Sequence, residues 1–163
     1  MIRQTVEKLR NAPKNSRLYL GADSVRFVDT KGQGWAKITV VAVIHLSGCK
    51  GCQVVGTTVK ERVYDKNLGK PQHRMMTEAQ ALAEIYLKLE DALVEAGLDI
   101  PIEVHLDIAS DEKFGSSCAA KAAAGYILGV CRVQPVLKPN AWAASTAADL
   151  FPKKLAKNYL PIN

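Results

Sequence analysis

Residues 17–25, RLYLGADSV, carry the reading on which the rest of the fold depends. Leu18, Leu20 and Ala22 alternate with Tyr19, Gly21 and Asp23, the period of a β-strand with one apolar face. An aspartate in such a strand is costly to bury as an ion unless it is paired or binds a metal. The situation recurs further on, with Glu78 in HRMMTEAQALAE (73–84), Asp107 in IEVHLDIAS (102–110) and Asp149 in AWAASTAADLF (141–151). The carboxylates therefore come in the order strand, helix start, strand, final helix. Brought together, they would hold two divalent cations, Mg2+ or Mn2+, that activate water and stabilise a leaving oxygen. The expected chemistry is hydrolysis of phosphodiester bonds.

Outward from that strand, residues 2–11 read as a short helix ended by Pro13. After DTKGQG come two β-rich runs, 35–46 and 52–64, joined by SGCKG as a hairpin, so that three strands form an antiparallel meander. A polar loop, DKNLGKPQH, leads to the longest helix, about 75–96, which Gly97 ends. A strand at 101–108 and an Ala-rich helix at 114–128, closed by Gly129, follow. CRVQPVLK reads as a short strand that Pro135 confines to a sheet edge. Asn140 is placed to cap a last helix running to about Leu150, and Pro152 limits it. The order β-β-β-α-β-α-β-α predicts an α/β fold: a five-stranded mixed sheet with helices on both faces.

The chain has 163 residues, 48% of them apolar, enough for one full core, so a single domain over 1–163 is expected, with its core at about 17–151 and a basic tail at 153–163. No apolar run approaches membrane-spanning length and MIRQTVEKLR is no signal-peptide core, which makes the cytoplasm the expected location. A net charge of +6 and a pI near 9.2 suit a polyanionic partner such as RNA, RNA–DNA hybrid or DNA. The cysteines are expected as thiols. Cys49 and Cys52 form a CxxC within SGCKGC, but no second CxxC or HxxxH completes a zinc set, and a redox CxxC opens a helix rather than a hairpin turn. A turn that contains cysteines is the simpler reading.

Helical spacing distinguishes the acids of the long helix. Glu78 lines up with Leu82, Ile85, Leu89 and Leu93, the stripe that faces a sheet, whereas Glu84 lines up with Lys88 and Asp91 on a solvated face. Helix-dipole stabilisation in a first turn is the competing account of Glu78. Asp23 and Asp107 each fall near the end of a strand, where sites collect, and if those strands are parallel neighbours their repulsion demands a cation. Turn capping is the competing account of both. Asp149 follows a run of small residues that lets its helix approach the first strand. Ser24, Lys113 and Lys138 are candidate contacts to nucleic acid, Ser116 and Ser117 lie beside them, and Asp111 reads as a helix cap. His73 and His105 are weaker candidates for proton transfer.

The motifs GADS (21–24), RMMTEA (74–79), HLDIAS (105–110) and KPNAWAASTAAD (138–149) resemble the ribonuclease H-like superfamily over essentially 17–151, and more narrowly its poorly characterised YkuK-like family. The resemblance implies that Asp23, Glu78, Asp107 and Asp149 are metal-binding, catalytic carboxylates of a nuclease. The proofreading exonucleases of that superfamily carry D-x-E on the first strand, where this chain has Val25. Transposases place their glutamate after the second aspartate, but Glu78 precedes Asp107, as in ribonuclease H and junction resolvases. No histidine occurs in VLKPNAW, and no basic helical protrusion is present, so hybrid-specific activity is less supported than nuclease chemistry in general. The alternatives are a non-catalytic nucleic-acid-binding protein of the same fold, or a homodimeric junction resolvase. A sugar-kinase-like ATPase is disfavoured, since no Gly-rich phosphate loop appears.

Overall fold

The computed structural model describes residues 1–47, 51–65, 69–111 and 113–152. Helix α1 (Ile2–Arg10) precedes strands β1 (Arg17–Val28), β2 (Gly34–His45) and β3 (Cys52–Arg62). Helix α2 (Gln72–Glu95), strand β4 (Ile102–Ala109), a 3-10 turn (Gly115–Ala119), helix α3 (Ala120–Cys131) and strand β5 (Val136–Lys138) follow. A last helix, α4, spans 142–152 and is π-helical over Ala143–Ala148. The five strands lie in the order β3-β2-β1-β4-β5. The first three form the expected antiparallel meander, while β4 runs parallel to β1 and β5 parallel to β4. No helix among the described residues is long and apolar enough to cross a membrane.

Strand alternation sorts side chains onto two faces. Leu18, Leu20 and Ala22 of β1, with Ile38, Val40 and Ile44 of β2, join Leu82, Leu89 and Leu93 of α2 and Ile127 of α3 in the main core. Tyr19, Val41 and Val43 point the other way, under Ala143, Ala148 and Phe151 of α4. Helices thus cover both faces. The alanines of α4 allow an unusually close approach: a Cβ placed on Gly21 would lie 2.4 Å from the Ala143 carbonyl carbon. Gly21→Ala is therefore expected to cost about 3 kcal/mol, by overpacking that neither backbone can relieve. Chemical denaturation should show this as a lower midpoint, and an unchanged midpoint would refute the close packing.

Several boundaries differ from expectation. Strand β1 continues to Val28, three residues past the predicted end, because β2 pairs with its whole length. Helix α2 begins at Gln72, where the Asp65 carboxylate accepts the N–H groups of His73 and Arg74 at 2.7 and 3.0 Å. Gly129 does not end α3, which runs to Cys131 and closes with Arg132 in the left-handed region at φ 59°. The predicted start of that helix at 114 is a 3-10 turn instead. Asn140 makes no side-chain cap; its carbonyl accepts the Trp142 N–H at 2.9 Å. Pro152 lies within α4. Cys52 is an exposed free thiol at the start of β3, while Cys49 and the tail 153–163 lie outside the described residues.

Candidate active site

The parallel register of β1 and β4 runs from Leu18↔Ile102 to Ala22↔Leu106, so the next residue on each strand is Asp23 and Asp107. The two carboxylates stand side by side on the face that α4 covers. Asp23 is not at the end of its strand, as its sequence position suggested. It lies where β1 loses β4 and continues against β2 alone. Burial raises the pKa of Asp23, and the charges of Asp107 and Asp149 raise it further, against the backbone N–H of Ser24 and the charge of Arg74. The charge of Asp149 on α4 therefore reaches Asp23, in keeping with the close approach of α4 to β1 that its small-residue run predicts.

Asp107 meets Lys138, the last residue of β5, with Nζ 2.9 Å from Oδ1. That oxygen is buried and accepts no directed hydrogen bond. Lys113 pairs with Asp111 at 2.7 Å and lies 5.1 Å from the centre of the Phe114 ring. Both lysines line a pocket of ≈ 400 Å³ beyond the end of β4. Asp111 does not cap a helix; its carboxylate accepts the Lys113 N–H in a local turn. Ser116 lines the same pocket, and its Oγ accepts the Ala109 N–H at 3.2 Å.

Glu78 approaches from the α2 side of the sheet, 2% exposed, with Ser24 donating its hydroxyl to Oε1, and the charges of Asp23 and Asp107 reach it there. Arg74, one turn earlier on α2, donates from Nη1 to the Ser24 carbonyl at 2.8 Å and to its hydroxyl oxygen at 3.2 Å. Burial pushes the Glu78 carboxyl up to about 8, and the Ser24 hydrogen bond and Arg74 only partly oppose it. Because α2 starts at Gln72, Glu78 is beyond the first turn, which removes the helix-dipole account of its position. Ser24, expected to touch nucleic acid, is itself buried and holds the glutamate. Arg74 was missed as a functional residue, although a cation at i−4 from a glutamate on a buried stripe is a legible signal.

The histidines have other work. His105 is buried beneath α4, accepting the Ala143 N–H on Nδ1 at 3.0 Å, with Nε2 2.8 Å from Glu103. The ring is thereby fixed as the Nε2–H tautomer, a structural role. His73 is exposed and meets the Tyr64 ring edge-on. Glu84 pairs with Lys88 on the solvated face, as expected.

Among the described residues, no three of His, Cys, Asp and Glu converge closely enough to enclose a metal ion. The donor chemistry nevertheless suits a hard cation: Asp23, whose proton affinity burial and the charge of the adjacent Asp107 raise, Asp149 within reach of its charge, and a buried Asp107 oxygen held against the Lys138 ammonium. A family model described as Ribonuclease H-like matches residues 1–153. No curated protein and no solved structure matches the chain.

Proposed function

This chain belongs to the ribonuclease H-like family, and from that membership and its facing aspartates we propose that it is a divalent-metal-dependent nuclease. The observation that supports this most is the β1–β4 register, which sets Asp23 beside Asp107, with Asp149 above them. Mg2+ keeps several waters and is commonly held by one or two carboxylates plus substrate phosphates, so a three-ligand protein cage is not required. Asp23 and Asp107 would be its direct ligands, with Asp149 and Glu78 contributing through water. Bound there, Mg2+ or Mn2+ would lower the pKa of water and stabilise the leaving oxygen of a phosphodiester. Ser24 and Arg74 would orient Glu78 from behind. Lys138, at the open end of β5, would exchange its contact with Asp107 for one with a phosphate of the substrate. Lys113 would act on a neighbouring phosphate. The narrower YkuK-like resemblance rests on the four motifs alone and names no substrate.

The test is a panel of end-labelled single-stranded RNA, RNA–DNA hybrid, duplex DNA and four-way junction, each with Mg2+, Mn2+ or chelator. The expected result is cutting of at least one substrate that the chelator stops. Folded protein that binds these substrates and cuts none with either metal would favour the non-catalytic alternative.

A further inference from the structure

The face of the sheet that carries Asp23 extends well past the helix that covers it. Its rungs follow from the strand registers. Tyr19, Val43 and Val54 form one rung, and Gly21, Val41 and Gly56 the next. These lie under α4, whose Phe151 ring would clash with a Cβ on Gly56 at 2.6 Å. The Asp23–Thr39–Thr58 rung marks the edge of the cover. Beyond it stand Val25, Lys37 and Lys60, then Phe27, Trp35 and Arg62.

This open half is not an ordinary solvated surface. Val25 is 63% exposed and Phe27 37%, and Lys37, Lys60 and Arg62 are exposed among them. Among the described residues its carboxylates are at the two ends, Asp23 in the candidate site and Asp29 accepting the Trp35 indole N–H at 2.9 Å. Between them lie three cations and an accessible aromatic ring, with Lys60 Nζ 5.9 Å from the centre of Phe27. Arg62 lies 5.3 Å from the centre of the Tyr64 ring and its charge acts on Asp29, whereas Lys37 and Lys60 make no ion pair among the described residues. Exposed apolar side chains beside such lysines mark an interaction surface. The charge is complementary to a polyanion. A ring lying among cations, rather than cations alone, suits unpaired bases, which stack on aromatic faces where a paired duplex does not.

We propose that the uncovered half of this sheet face is a track for single-stranded nucleic acid, with a base stacked on Phe27 and the backbone held by Lys37, Lys60 and Arg62. The Lys37–Lys60 rung is two residues from Asp23 along the strand, roughly 7 Å, and Phe27 is four residues away, roughly 13 Å. One strand can therefore touch the track and the carboxylates together. The carboxylates repel phosphates, so a neighbouring cationic surface is what allows a substrate backbone to stay. The direction of the strand towards the site rests on the nuclease reading; binding along the track does not.

The experiment is fluorescence anisotropy with labelled oligo(U) and oligo(dT), and with a duplex of equal length, in chelator so that nothing is cut. Phe27→Ala should weaken single-strand binding about 10-fold without changing its salt dependence, and Phe27→Trp should restore it. Lys37→Ala and Lys60→Ala should each flatten the log–log salt slope by about 0.7. Circular dichroism should leave all variants folded, since these side chains are exposed. Unchanged affinity in all variants, or duplex bound as tightly as single strands and indifferent to Phe27, would overturn the track. Loss of binding in the variants with no cleavage by wild type would keep the track and remove the nuclease reading.

Discussion

Asp107→Asn is expected to abolish cleavage while leaving the fold and nucleic-acid binding in place. The substitution keeps the volume of the side chain and removes one of two adjacent charges that would hold the metal. A fall of about 10³-fold or more in rate is expected, equivalent to about 4 kcal/mol of lost transition-state stabilisation. Binding in chelator should be unchanged or tighter, because one anion facing the phosphates has gone. The wild-type melting temperature should rise with saturating Mn2+, by linkage to a ligand that binds only the folded state, and the variant should lose that rise. Asp107 is half-buried against Lys138, so the loss of their ion pair offsets part of the repulsion that Asp23 no longer feels. The metal-free melting temperature is therefore expected to move little. Retained cleavage in Asp107→Asn would place the chemistry elsewhere in the molecule.

The backbone pattern and the site differ in how far residues alone reveal them. Alternation in RLYLGADSV and IEVHLDIAS, with the helical stripe from Glu78 to Leu93, is enough to give five strands, the main helices and their order, because burying one apolar face dictates each. The side-by-side placement of Asp23 and Asp107 required only that β1 and β4 be parallel neighbours, and they are. The small residues before Asp149 likewise announced a helix lying close to the sheet, and the Gly21–Ala143 approach is that contact. What was not legible depends on partners distant in sequence. Nothing within GADSV indicates that β1 runs on to Val28, since the pairing with β2 decides it. For that reason Val25 read as the last residue of the strand and Phe27 as loop, rather than as parts of an open sheet face. Ser24 looked like a surface hydroxyl beside an acid, but alternation turns it inward to a glutamate 54 residues away. His105 seemed available for proton transfer until the close approach of α4 occupied its Nδ1.

Metal-free protein is expected to lose stability as pH rises from roughly 5 to 8, and Glu78→Gln to remove most of that loss. Burial raises the Glu78 carboxyl from 4.5 to about 8. Between those values the folded state keeps a proton that the unfolded chain releases, so folding takes up protons and is favoured at the acid end. The contribution is fully present below the unfolded pKa and gone once pH passes the folded one. Each pH unit inside the window is worth about 1.4 kcal/mol for one proton, giving an upper bound of about 4 kcal/mol across it. For a domain of this size that corresponds to a fall in melting temperature on the order of 10 °C. Asp23, raised in the same direction, adds to the slope at its acid end. Glutamine has no proton to lose, so the variant should be flatter and, at pH 8 without metal, more stable than wild type. The same geometry bears on metal binding. A neutral Glu78 behind Ser24 has to ionise before it can help hold a cation, so metal binding near pH 7 should release a proton that Glu78→Gln does not. Calorimetry in two buffers of different ionisation enthalpy measures that release. Equal pH slopes in wild type and Glu78→Gln would mean that the buried carboxyl is ionised after all, stabilised by Ser24 and Arg74 more strongly than burial opposes it.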